Sequence, residues 1–266
     1  MPALVMGVLN VTPDSFSDGG RWFDPDAAVA HGLDLVAEGA AVVDVGGEST
    51  RPGAEPVDEA EERRRVVPVI EALAPYVRVS VDTRKAAVAE AAVDAGATLV
   101  NDVSATLWPV AAAAGVGWVA MHMRGVPATM QQDPVYDDVV GEVTAYLVER
   151  ATMAREGGVD EVWVDPGIGF GKTVDHNLAL LGRLRHLVAA GFPVLVGTSR
   201  KSFLGRLTGG PDRPDPVDDR LEGSLATAAW AIGQGASMVR AHDVGPTVQL
   251  AVLAGDGPPL RPGTQP

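Results

Sequence analysis

Polar side chains recur at one kind of place in this sequence, directly after short apolar runs. Asn10, Asp44, Asp82, Asn101, His122, Asp165, the Ser199-Arg200-Lys201 triplet and Arg240 each stand at or just past the end of such a run. Carboxylates and amides can read the donor and acceptor edge of a ligand, and arginine and lysine suit an anionic group. The most heavily loaded stretch is Met6-Gly-Val-Leu-Asn-Val-Thr-Pro-Asp-Ser-Phe-Ser-Asp-Gly-Gly20. An apolar run from Ala3 to Leu9 turns polar at Asn10, and the segment beyond it carries Asp14, Asp18, hydroxyls, a proline and two glycines. A buried strand normally ends in a turn of two to about six residues. The longer, chemically loaded connection here fits a binding or catalytic edge.

Elements that could bring these residues together alternate along nearly the whole chain. Short apolar runs read as buried strands at Ala3–Leu9, Ala41–Val45, Val77–Val81, Ala97–Val100, Gly117–Met121, Glu161–Val164, Pro193–Val196 and Ala236–Val239. Amphipathic, alanine-rich stretches between them predict helices over Asp26–Glu38, Val57–Leu73, Arg84–Ala95, Val110–Ala114, Tyr136–Glu156, Asp175–Ala190 and Asp215–Gln234, with a last helix after Pro246. Asp24-Pro25 supplies an N-cap and a first-turn proline, and Thr83 is placed to cap the third helix. Near-continuous apolar strands alternating with helices imply a parallel sheet covered on its outside. Eight such units in about 250 residues match a single (β/α)8 TIM barrel, an α/β fold, spanning residues 1–254. An open doubly wound sheet is the rival, but its outer strand ends lie too far apart to share one site. Residues 255–266, rich in proline and glycine, are expected to form a flexible C-terminal tail.

Composition narrows the partners. The 266 residues are 46% hydrophobic and carry a formal net charge of −14, which argues against a general nucleic-acid surface. Cations for an anionic ligand must therefore be concentrated locally, and Arg51, Arg200, Lys201 and Arg240 are the candidates. The acidic run Asp58-Glu-Ala-Glu-Glu62 reads as a solvated helix face. The sequence contains no cysteine, which excludes disulfides and thiolate metal sites. No secretory signal or membrane-spanning run is expected, so cytoplasmic residence is the default.

Several ordered segments resemble dihydropteroate synthase, a pterin-binding family of folate synthesis. The opening Gly7–Gly20 segment is similar to its first signature, and Asp44-Val-Gly-Gly-Glu-Ser-Thr-Arg-Pro-Gly53 to its second. Ser80-Val-Asp-Thr83, Asn101-Asp-Val-Ser104, Met121-His-Met-Arg124, Asp165-Pro-Gly-Ile-Gly-Phe-Gly-Lys172, Gly197-Thr-Ser-Arg-Lys-Ser-Phe-Leu-Gly205 and Arg240-Ala-His-Asp-Val244 follow in order. The resemblance spans Met6 to Val248. It implies a transferase that condenses 6-hydroxymethyl-7,8-dihydropterin pyrophosphate with para-aminobenzoate, releasing pyrophosphate and giving 7,8-dihydropteroate. It also implies Mg2+, membership of a family that is a sulfonamide target, and a homodimer with small-molecule substrates, neither nucleic acid nor membrane being a partner; the sequence does not speak to this chain's own sulfonamide sensitivity.

Residue roles carried by the resemblance divide by substrate. Asp82, Asn101 and Asp165 supply the carboxylates and amide that a pterin's pyrimidine edge demands, joined by Lys201 and Arg240. Asn10, Thr50, Arg51, Arg240 and His242 are assigned to pyrophosphate, with Asn10 helping to hold the metal. Phe16, Thr50, Pro52, Phe170, Lys201 and Ser202 are assigned to para-aminobenzoate. Asp18, Asp82 and Lys201 are the catalytic set, since a carboxylate near the pterin methylene stabilises the positive charge left by pyrophosphate loss. An Asp or Asn at a strand end can instead cap the next helix, an isolated His is more often structural, and a loop lysine is usually solvated. The glycines of Gly167–Gly171 look like a phosphate loop but more plausibly let Phe170 line a pocket.

One segment departs from the family pattern. Ser104–Ala114 is short by about one helical turn and is expected to narrow or open one side of the mouth near Asn101. Two other readings share parts of the motif set. A corrinoid-dependent methyltransferase would keep the strand-end Asp and Asn but not need Arg51, Lys201, Arg240 and His242. A non-catalytic pterin-binding paralogue would bind without turnover.

Overall fold

The computed structural model describes residues 2–12, 24–49, 56–127, 129–210 and 212–255. Eight parallel strands and ten helices alternate among them. In chain order these are β1 (Leu4–Asn10), α1 (Pro25–Ala37), β2 (Val42–Gly46), α2 (Glu59–Leu73), β3 (Arg78–Asp82), α3 (Ala86–Asp94), β4 (Leu99–Asp102), α4 (Trp108–Ala114), β5 (Gly117–Met121) and α5 (Val139–Glu156). There follow β6 (Val162–Asp165), α6 (Val174–Gly182), α7 (Leu184–Val188), β7 (Leu195–Val196), α8 (Ser202–Gly209), α9 (Leu221–Gly233), β8 (Met238–Ala241) and α10 (Val244–Gly255).

Neighbouring strands pair in the order β6-β5-β4-β3-β2-β1-β8-β7. The remaining seam closes where Val164 of β6 bridges Val194, just ahead of β7, with the Val164 N–H donating to the Pro193 carbonyl at 3.0 Å. The result is the expected (β/α)8 barrel. Among the described residues no helix is long and apolar enough to cross a membrane.

Strand alternation separates two cores. Met6, Val42, Leu99, Val119, Trp163, Leu195 and Met238 cluster inside the barrel as an apolar floor. Their neighbours along the strands, such as Val5, Val43, Val100, Val164 and Val239, pack outward under the helices. Successive strand side chains face opposite sides, so residues two or four beyond the floor residues also face inward. This period decides which strand-end polar groups can meet.

The helices depart from expectation in a few places. The helix expected over Asp175–Ala190 breaks at Arg183, whose φ and ψ of −115° and 25° leave the helical region after Gly182, giving α6 and α7. Helix α8 was not foreseen, and the helix expected from Asp215 begins instead at Leu221 after a single tight turn over Val217–Asp219. Thr83 does not cap α3 directly; its hydroxyl accepts from the Lys85 N–H at 3.2 Å and donates to Glu62 at 2.7 Å. Glu62 itself corrects the reading of Asp58–Glu62 as a solvated face. It is 1% exposed, because the helix turns it under the barrel rim to pair with Lys85. Helix α10 ends at Gly255, and residues 256–266 lie outside the described residues.

Candidate active site

Register sets the site. Asn10 of β1 pairs with Gly46 of β2, Gly46 with Asp82 of β3, and Asp82 with Asn101 of β4, so one row of residues rings the mouth. One step deeper, Asp44 of β2 lies beside Ser80 of β3. The Asn101 amide donates to Asp44 at 2.9 Å, reaching past β3, which only the barrel interior permits. From β8, Arg240 reaches the same layer. Its Nε donates to Asp44 at 2.6 Å and its Nη2 to Asp82 at 2.8 Å.

This interior layer is polar yet nearly dry. Asp44 is fully buried, and Asn101 and Asp165 are each 4% exposed. Burying such groups is costly unless their hydrogen bonds are made. Three polar atoms there have no protein partner, namely Asp44 Oδ1, Asn101 Oδ1 and Ser80 Oγ. Burial, reinforced by the Asp44 carboxylate, pushes Asp82 up to about 7 although Arg240 pulls the other way. Asp165 is raised too, chiefly by burial, with Lys201 opposing. Above the apolar floor lies a buried polar layer that leaves two acceptors, Asp44 Oδ1 and Asn101 Oδ1, and one hydroxyl, Ser80 Oγ, without a partner.

The loop after β6 and the loop after β7 meet on one side of this layer. Gly167 and Gly171 take φ of 63° and 62°, and a Cβ at either would collide with the His122 or Arg124 carbonyl. Lys201 donates to the Ile168 carbonyl, and its Nζ lies 4.8 Å from the centroid of the Phe170 ring, which is partly exposed. Burial draws Lys201 down to about 8, with Arg240 adding to the effect and Asp165 opposing it. The Arg200 backbone before it has φ 58°, a conformation rare for a residue with a Cβ. Arg200 is held there by Asp243, at 2.6 and 3.1 Å, and by the Ser224 hydroxyl, which accepts from its N–H at 2.9 Å.

A family model described as pterin binding enzyme matches residues 6–242. The chain is 50% identical to a dihydropteroate synthase of Mycobacterium leprae, over 96% of this chain and 93% of that relative. The chain belongs to the dihydropteroate synthase family. Among solved structures it resembles the Yersinia pestis dihydropteroate synthase in a sulfonamide drug complex, with TM-score 0.88 and 43% identity, covering 95% of this chain and 93% of that one. The Xanthomonas albilineans dihydropteroate synthase with 4-aminobenzoic acid aligns at TM-score 0.87 and 46% identity, over 95% and 92% of the two chains.

Within this dihydropteroate synthase fold the expected residues divide three ways. Asp82, Asn101, Asp165, Lys201, Arg240 and Phe170 converge around the barrel mouth, and Asn10 stands partly exposed in the same row. His242 lies just past β8, with its Nδ1 3.1 Å from the Ser199 hydroxyl. Ser202 is exposed at the start of α8. Phe16, Asp18, Thr50, Arg51 and Pro52 lie outside the described residues.

Two of the strand-end polar residues do not serve the mouth. His122 turns outward, packs edge-on to Tyr146 at 5.1 Å, and is drawn down to about 3 by burial and the neighbouring Lys172. Arg200 is spent on Asp243. Conversely, Asp44 was not singled out for a role, although it sits in phase with Val42 and is a carboxylate in mid-strand. Among the described residues no group of three or more His, Cys, Asp or Glu side chains could hold a metal ion.

Proposed function

We propose that this chain joins 6-hydroxymethyl-7,8-dihydropterin pyrophosphate to para-aminobenzoate, giving 7,8-dihydropteroate and pyrophosphate. The observation that carries this reading is the buried layer in which Asp44, Ser80 and Asn101 keep unpartnered polar atoms beside Asp82, Asp165 and Arg240. A pterin presents a flat edge of alternating donors and acceptors, and that layer supplies acceptors for its N–H groups and an amide for its mixed edge. The Arg240 guanidinium spans the mouth beside it, able to lie against the ring.

Chemistry then follows from charge. The bond from the pterin methylene to pyrophosphate oxygen breaks, its electron pair leaving with pyrophosphate and positive charge remaining on the methylene. Asp82, with Asp18 from outside the described residues, stabilises that charge. The para-aminobenzoate nitrogen attacks with its lone pair, and the resulting ammonium loses a proton. Lys201 and Phe170 hold the aminobenzoate, with Phe16, Thr50, Pro52 and Ser202 in the same role. Thr50, Arg51, Arg240, His242 and Asn10 receive the pyrophosphate. Mg2+ fits this donor set as an ion kept largely by waters and substrate phosphates, with Asn10 its ligand on this chain, and it would draw negative charge from the leaving group. Homodimerisation and cytoplasmic residence belong to the same reading.

Pyrophosphate release in the presence of pterin pyrophosphate, Mg2+ and para-aminobenzoate tests it. Release that tracks dihydropteroate formation is expected. Tight pterin binding with no release above background at high protein concentration would overturn it in favour of a non-catalytic binder.

A further inference from the structure

Five consecutive carbonyls of the loop after β6 point at side chains, and Lys172 holds two of them. Its Nζ donates to the Gly167 carbonyl at 3.0 Å and to the Phe170 carbonyl at 3.0 Å, while the His122 carbonyl lies at 3.3 Å. The His122 Nδ1 is a further neighbour at 3.0 Å. The carbonyls between and beyond are held by others: Ile168 by Lys201, Gly169 by the Gln131 amide, and Gly171 by the Tyr136 hydroxyl at 2.8 Å. Lys172 is only 3% exposed, so its amine cannot exchange these partners for water. A buried amine in an apolar wrapping is costly, and such a group persists where its hydrogen bonds fix a backbone.

We propose that Lys172 is a positioning residue for the aminobenzoate side of the site. By clamping the carbonyls on either side of Ile168 and Gly169, it fixes the Ile168 carbonyl that accepts from Lys201 and the Phe170 ring that lies against the Lys201 ammonium. Lys172 makes no hydrogen bond to a side chain of the pterin layer, although its charge is felt at Asp165; its hydrogen bonds act through Phe170 and Lys201. Burial holds Lys172 down to about 7, consistent with an amine enclosed by the loop it organises. His122, kept neutral, has its Nδ1 3.0 Å from the amine and ties the β5 loop to the same clamp. The proposal rests on the reading that para-aminobenzoate sits beside Phe170 and Lys201.

Replacing Lys172→Met removes the donors and keeps the length of the arm. Misplacement of a substrate contact by about an ångström can cost up to about a hundredfold. The expected result is a KM for para-aminobenzoate raised about tenfold or more, with the Kd for 6-hydroxymethyl-7,8-dihydropterin pyrophosphate within about twofold of the parent. Lys172→Gln, which keeps two donors on a shorter arm, should fall between the two and serves where the Met variant folds poorly. An unchanged KM in both variants, or equal losses for both substrates, would overturn the proposal. Phe170→Ala separates the two ideas: if it leaves the para-aminobenzoate KM unmoved, the placement of that substrate fails whatever Lys172 does. If it raises KM while the Lys172 variants do not, only the positioning role fails.

Discussion

Asn101 and Asp102 are adjacent, both polar, both buried at the end of β4, and they do opposite work. Asn101 faces into the barrel, donates to Asp44 and leaves its own oxygen unpartnered. Asp102 faces outward and is saturated. It accepts from the N–H groups of Ser104 at 2.8 Å and of Thr106 and Leu107 at 2.6 Å each, from the Ser104 hydroxyl at 2.5 Å, and from the Trp118 indole at 3.2 Å. It thereby folds the short Ser104–Leu107 segment back toward α4. Asp165, also inside, is a mixed case, since its Oδ1 accepts from the Gly167 N–H of its own loop at 2.7 Å. On β4 the interior side chain keeps an unpartnered acceptor, whereas the exterior one spends its capacity on its own loop.

The contrast can be broken at either end, and the largest effects should come from the saturated side. Asp102→Ala strands several buried N–H donors and should cost about 4 kcal/mol of stability. Urea unfolding would read this, with pterin affinity in the folded fraction largely kept. Arg240→Met leaves Asp44 and Asp82 as an unpaired buried acid pair, so a loss of about 3 kcal/mol is expected together with loss of pterin binding. Stability loss with affinity retained would remove Arg240 from the ligand layer.

A smaller effect concerns pH. The proposed mechanism requires ionised Asp82, so kcat/KM should rise as pH climbs through about 7. It also requires charged Lys201, so kcat/KM should fall as pH passes about 8. The two limbs belong to an interacting set and leave a narrow optimum between them. Lys201→Arg should push the alkaline limb beyond the measured range; an unmoved limb would clear Lys201 of that role. Smallest of all, Ser202→Ala removes one exposed hydroxyl and should raise the para-aminobenzoate KM about fivefold with kcat kept.

Much of this is legible in the sequence. Alternating apolar runs and helices fixed eight strands, and polar residues at their ends located the mouth. What the list of strand ends did not weigh was parity. Counting by twos from Met6, Val42, Leu99, Val119, Trp163 and Met238 puts Asn10, Asp44, Asn101, Asp165 and Arg240 inside, and Asp102 and His122 outside. An inward-facing role for Asp44, already among the strand-end polar residues, follows from that count. Glu62 could not be found by counting, since its burial depends on Lys85 arriving from the next unit. Lys172 was hidden similarly: its carbonyl partners lie in its own loop and at the end of β5, and only the fold turns them toward one amine. Helix α8 escaped notice because it is short and bounded by glycines and prolines that read as loop.

The most direct measurement pairs the two neighbours on β4. The pterin pyrophosphate is titrated into Asn101→Ala and Asp102→Ala, and the urea midpoint of each is recorded alongside. The interior residue should lose about tenfold or more in affinity with little change in stability, since it gives up ligand contacts. The exterior residue should show the reverse. Equal affinity losses in both, or a destabilised Asn101→Ala that still binds at the parent's strength, would contradict the division between a ligand-facing interior and a self-satisfied exterior.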